Sequence, residues 1–108
     1  MKKSPLLLAT MMCILGSFGC QSSISPAPMT HEVVRAGERA HVDESTLREG
    51  RSLFVSRCIE CHTLPVVSRY DPVAWPWLVD NMAHRASLKP AEREALVAYL
   101  LAVRAQTR

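Results

Sequence analysis

The chain carries two cysteines and a histidine within five residues, Cys58-Ile59-Glu60-Cys61-His62. In a helical turn the two thiols lie on one side, because residues three apart are neighbours on a helix surface. The pattern Cys-x-x-Cys-His is the attachment signature of c-type haem: each thiol forms a thioether to one porphyrin vinyl group, and the histidine binds the iron. Cys-x-x-Cys without the histidine would also be compatible with zinc or a redox dithiol. A chain that holds haem in this way has to fold around a large apolar plate.

The first residues have the pattern of a secretory signal. Two lysines are followed by an apolar stretch over 6–15, which is too short for a confident membrane span. Gly19-Cys20 at its end resembles the lipobox of bacterial lipoproteins, although Ser17 stands where that motif usually has leucine. We expect the signal peptide, residues 1–19, to be removed and Cys20 to be lipidated. The alternative is ordinary cleavage nearby, which would leave Cys20 as an unpaired thiol.

Charge and length limit the class of function. The formal net charge is +3, but loss of the two signal lysines leaves 11 of the 13 basic residues against 10 acidic ones. Such a balance lacks the basic excess of a nucleic-acid binder. Removal of 19 residues from 108 leaves 89, which is one small domain that cannot easily build a stable core from side chains alone. A buried porphyrin would complete such a core.

Residues 20–42 predict a flexible tether, because they are rich in serine and proline at the start and show no apolar period. Some 20 residues of this kind have a mean reach of about 25 Å. Cys13 would be lost with the signal and the haem would take two thiols, so Cys20 has no disulfide partner in the mature chain.

Apolar periodicity predicts three helices in 43–108 and no strand. The first opens at Asp43 and places the haem cysteines on its buried face. A short second helix runs from about Trp75-Pro76 to Arg85, and the last begins at Pro90. Gly50 inside the first helix costs about 1 kcal/mol relative to alanine, which indicates a close packing neighbour.

These residues resemble class I cytochrome c domains of bacteria over roughly 49–103. The matching features are Gly50-x-x-x-Phe54-x-x-x-Cys58-x-x-Cys61-His62, a methionine at position 82 and a last helix with Val97-Ala98-Tyr99-Leu100. The resemblance implies an all-α fold of about three helices around one covalently attached haem c. It also implies that Gly50 and Phe54 pack against Tyr99 where the first and last helices cross.

The same resemblance places the sixth iron ligand shortly before the last helix. Met82 lies there, 20 residues after His62, and a thioether ligand would raise the reduction potential. His84 is the competitor and Asn81 a third option. On a helix, positions 82 and 84 point about 200° apart, so only one of them can face the haem. The alternative role of Met82 is packing on an amphipathic helix.

We therefore expect an exported one-electron carrier with His62 and Met82 as its metal ligands, and not an enzyme. It would lie on the periplasmic side of a membrane, held there by lipid at Cys20 or otherwise soluble in the periplasm, with redox proteins as partners and no nucleic acid. Two alternatives stay open. One is a haem-based gas-binding or sensing module with an open or labile sixth site, and the other is a cytochrome subunit of a periplasmic oxidoreductase complex.

Overall fold

The computed structural model describes residues 25–61 and 63–107. Four α-helices occur in these ranges: α1 (His31–Arg39), α2 (Glu44–Arg57), α3 (Ala74–Ala83) and α4 (Pro90–Arg104). Two short 3-10 turns, Cys58–Glu60 and Val67–Arg69, lie between α2 and α3. No strand is present in the described ranges, so the all-α class is confirmed, with one helix more than the three predicted.

The additional helix, α1, lies inside the segment that we predicted to be a flexible tether, and that prediction is wrong for residues 31–39. The side chain of Thr30 caps the helix, because its hydroxyl oxygen accepts a hydrogen bond from the Val33 amide at 3.3 Å. Val33 and Ala36 are buried in the main core. The buried residues of this helix are Val33, Ala36 and Gly37, which form too short a stripe to stand out as a period, and tertiary packing stabilises the helix.

Helix α2 begins where the sequence predicted. The Asp43 carboxylate accepts a hydrogen bond from the Thr46 amide at 2.9 Å and so caps the first turn. Seven residues later Gly50 lies against α4. A Cβ atom at Gly50 would meet the backbone of Ala95 and lie 2.7 Å from the Cβ of Tyr99. The close neighbour that the glycine indicated is therefore the backbone of the last helix.

Helix α4 forms the centre of the domain, since α1, α2 and α3 all pack against it. The Phe54 and Tyr99 rings lie 6.0 Å apart between centroids and are inclined at 49°, which joins α2 to α4. The largest fully buried side chains come from α2, α3 and α4: Trp75, Tyr99, Phe54, Leu47, Leu96, Leu100 and Val79.

The loop between α3 and α4 ends with Pro90 as the first residue of α4, as predicted. Lys89 occupies the N-cap position, where serine or threonine is the usual capping residue. Glu92 supplies a cap instead, since its carboxylate accepts a hydrogen bond from the Lys89 amide at 2.8 Å. None of the helices in the described ranges has the length and apolar character needed to cross a membrane.

Candidate cofactor site

The cysteine motif lies at the end of α2. The α-helix ends at Arg57 and tightens into the 3-10 turn that begins with Cys58. Cys58 is half-buried and packs against the core, whereas Cys61 is exposed. The prediction that the first helix carries both cysteines on its buried face is therefore wrong for Cys61, because the helix ends before the motif. His62 and Cys20 lie outside the described residues.

Cys58 and Cys61 line one cleft together with Met82. The cleft has a volume of about 150 Å³, and its remaining lining comes from Arg57, Arg85 and Ala86. Met82 reaches this cleft from the last turn of α3, although it is 21 residues beyond Cys61 in sequence. The fold thus brings together three of the residues that the sequence selected for haem binding.

An apolar pocket continues the cleft into the core, because Cys58, Met82 and Ala86 line both. Its other walls are apolar side chains of all the helices except α1: Phe54, Trp75, Val79, Leu96 and Leu100. The open cleft carries the charged side chains, and the pocket behind it carries none.

The three candidates for the sixth ligand occupy different positions. Met82 is partly buried and lines both the cleft and the pocket. His84 and Asn81 are exposed and line neither. Of these three side chains, the structure therefore brings only Met82 to the cysteines.

Burial raises the pKa of the Cys58 thiol above its ordinary value. Reactive cysteines of redox dithiols have lowered pKa values, since the thiolate is the nucleophile. The direction of the Cys58 pKa thus differs from that of an activated thiol. Within 25–61 and 63–107, no three His, Cys, Asp or Glu residues lie close enough together to form a metal-binding group.

Two positively charged side chains stand at the open cleft. Arg57 and Arg85 line the cleft, and guanidinium groups pair well with carboxylates. In the apolar pocket behind the cleft, the indole N–H of Trp75 is buried and has no acceptor among the described residues. Arg51 and Arg69 carry the same guanidinium group, but neither of them lines the cleft.

Comparison with known proteins identifies no relative of this chain. No family model matches the chain, and no curated protein or solved structure matches it either.

Proposed function

We propose that the chain is an exported c-type cytochrome that carries one covalently attached haem and transfers single electrons between proteins. The observation that supports this proposal is the cleft shared by Cys58, Cys61 and Met82. The two thiols belong to a haem attachment motif, and a thioether is a common sixth ligand of cytochrome iron.

In this proposal each residue of the cleft has one role. Cys58 and Cys61 hold the porphyrin through thioethers, and His62 and Met82 bind the iron. The haem supplies reversible one-electron chemistry when bound. The apolar pocket behind Met82 excludes water, which contributes to the reduction potential. Arg57 and Arg85 offset the propionate charges at the open side.

The exposure of Cys61 supports electron transfer rather than buried chemistry. A haem held at an exposed cysteine keeps one edge near solvent, where a partner protein can approach. Lipidation of Cys20 would keep the protein on the periplasmic side of a membrane. The partners would then be redox proteins, including a larger oxidoreductase complex if the chain is one of its subunits.

Optical spectra and intact mass test the proposal on protein matured with its signal. We expect a mass equal to the mature chain plus one haem that acid–acetone does not extract, and low-spin spectra in both oxidation states. Extractable haem, or none after expression with a working maturation system, would contradict the proposal.

Substitution of Met82 tests the sixth ligand. Met82→Ala should abolish the sulfur-to-iron charge-transfer band of the ferric protein, open the iron to CO and lower the potential. His84→Ala is the matched control and should leave the spectra unchanged, because His84 does not line the cleft. An altered spectrum in His84→Ala alone would indicate bis-histidine ligation. If the unsubstituted ferrous protein already binds CO, the gas-binding alternative is favoured.

A further inference from the structure

The segment before α1 is fixed to the domain through the carbonyl group of Ala27. The Tyr99 hydroxyl donates a hydrogen bond to this oxygen at 2.7 Å, and the Arg51 guanidinium donates another at 3.0 Å. Ala27 and Met29 also pack against the core. Tyr99 is fully buried and lies on α4, so the attachment is to the centre of the fold. Residues from Ala27 onward therefore move with the domain.

The link from a lipidated Cys20 to this fixed point is short. Only residues 21–26 lie between Cys20 and Ala27. Seven Cα–Cα steps span at most about 25 Å when fully extended, and their mean reach as a flexible chain is about 14 Å. A domain of this size has a radius of gyration of about 13 Å, hence a diameter of roughly 30 Å. Ala27 therefore cannot lie on the side of the domain that faces away from the bilayer.

The surface around Ala27 is suited to anionic lipid. It is formed by three segments, 25–30, 64–70 and 103–107. Residues 25–27, 64–68, Val103 and Thr107 of these segments line a groove beside Ala27 together with Phe54, whereas Arg69 and Arg104 lie outside the groove lining. We call this surface the anchor face. Its segments contain two arginines, Arg69 and Arg104, and no acidic residue. The next residue in sequence, Asp71, is exposed and adds one negative charge beside this face; its carboxylate accepts a hydrogen bond from the Val73 amide at 2.9 Å.

The anchor face also has apolar surface and is held together as one unit. Val66 is 37% exposed and Tyr70 is 40% exposed. The Arg104 guanidinium donates a hydrogen bond to the Tyr70 carbonyl at 2.9 Å, which joins the end of α4 to the loop before α3. Exposed aromatic and apolar side chains with arginines at their edge are typical of surfaces that rest in the headgroup region.

We propose that the domain rests on the bilayer that holds its lipid, with the anchor face toward anionic headgroups, in place of moving freely on a long tether. This inference depends on the proposed lipidation of Cys20. None of the described residues that line the cofactor cleft lines the groove at Ala27. Docking through the anchor face would thus leave the lining of the cleft itself free, although Phe54 and Pro65 line both the groove and the apolar pocket behind the cleft.

Hydrogen exchange on the mature, haem-loaded protein in phosphatidylglycerol vesicles tests the proposal. We expect amides of 64–70 and 103–107 to exchange several-fold more slowly than in the unlipidated Cys20→Ser protein. Insertion of ten Gly-Ser residues after Ser22 should remove most of that protection. Ser22→Gly with Ser23→Gly is the matched control, since it changes composition without length, and it should keep the protection.

A charge reversal tests the lipid contact separately. Arg69→Glu should reduce the protection of the anchor face, whereas Arg39→Glu, at the exposed end of α1, should not. Lipidated protein with no protection on vesicles, or with protection unaffected by the insertion, would overturn the proposal and leave this face to a protein partner. A mass without lipid would also overturn it. The haem spectrum of the same sample reports independently on the proposed electron-carrier function.

Discussion

Replacement of Gly50 by alanine measures how closely α2 and α4 approach each other. The new Cβ atom would meet the Ala95 carbonyl group, with 2.7 Å to its carbon, and would lie 2.7 Å from the Tyr99 Cβ. These atoms belong to the backbone or its first side-chain carbon, so no rotamer change can move them away. Relief requires the two helices to separate. Separation would also loosen the apolar pocket, because Phe54 and Leu96 line it from opposite helices.

The expected magnitude follows from two opposing effects. Overpacking of a well-packed contact costs about 1–3 kcal/mol, and the upper part of that range applies where backbone has to move. Alanine recovers up to about 1 kcal/mol of helix propensity relative to glycine. We expect Gly50→Ala to lose about 1–2 kcal/mol of unfolding free energy, which lowers the Tm by roughly 5–15 °C for a domain of this length.

Thermal and denaturant unfolding followed by circular dichroism measure this loss. Ser52→Ala is the matched control, because Ser52 lies on the same helix and is exposed. Its alanine adds helix propensity without a new contact, so its stability should change by at most about 0.5 kcal/mol. A Gly50→Ala protein as stable as the Ser52→Ala protein would refute the close approach of the two helices.

Two further predictions concern the Asp43 cap of α2 and the attachment of the segment before α1. Hydrogen bonds from Ser45 and Thr46 hold the pKa of Asp43 below its ordinary value, so its contribution to stability is present above the ordinary pKa of aspartate and is lost as the pH falls through the lowered value. Tm measured against pH should be higher for the unsubstituted protein than for Asp43→Ala at neutral pH, and the difference should shrink in acid; a pH-independent difference would contradict this reasoning. Tyr99→Phe removes the hydroxyl that donates to Ala27 and should cost about 1 kcal/mol, with faster amide exchange in 25–30. Tyr70→Phe, on the surface, should change neither quantity, and equal exchange in the two variants would show that Tyr99 does not hold the segment.

The sequence predicted the helices whose signals are local. Helices α2, α3 and α4 begin at Glu44, Ala74 and Pro90. The Asp43 cap marks the first turn of α2, and Pro76 and Pro90 mark those of α3 and α4. Their apolar stripes are long enough to be recognised. Helix α1 is short and polar, and its buried face consists of Val33, Ala36 and Gly37. What stabilises it is contact with α4, which no local pattern contains.

The residues of the candidate site could be predicted where the sequence holds a recognisable motif or a single residue of the required type. Cys58 and Cys61 belong to a short motif, and Met82 is the only methionine after it. The sequence could not show which arginines line the cleft, since nothing in their local sequence distinguishes Arg57 and Arg85 from Arg51 and Arg69. Which of them lines the cleft depends on how α2 and α3 are positioned by their separate contacts with α4. Arg51 instead donates to the Ala27 carbonyl, a residue 24 positions earlier in the chain.

The last prediction tests whether the two cysteines are built for a thioether attachment or for thiol redox chemistry. Protein made without residues 1–19 stays in the cytoplasm, where we expect no haem to be attached, so both thiols are free to react. Burial raises the pKa of Cys58, and Cys61 is exposed. Because the thiolate is the reactive form, Cys61 should be alkylated faster than Cys58 near neutral pH, and the difference should narrow as the pH rises.

Peptide mass spectrometry after timed alkylation gives the two rates, and the same reaction in urea gives the control, in which both thiols should react alike. A redox dithiol requires one activated cysteine with a lowered pKa. Faster alkylation of Cys58 in the folded protein than in urea would therefore favour dithiol chemistry over haem attachment. Slower alkylation of Cys58 alone agrees with a thiol that is shielded at the inner end of the cleft, where Met82 and the apolar pocket meet it.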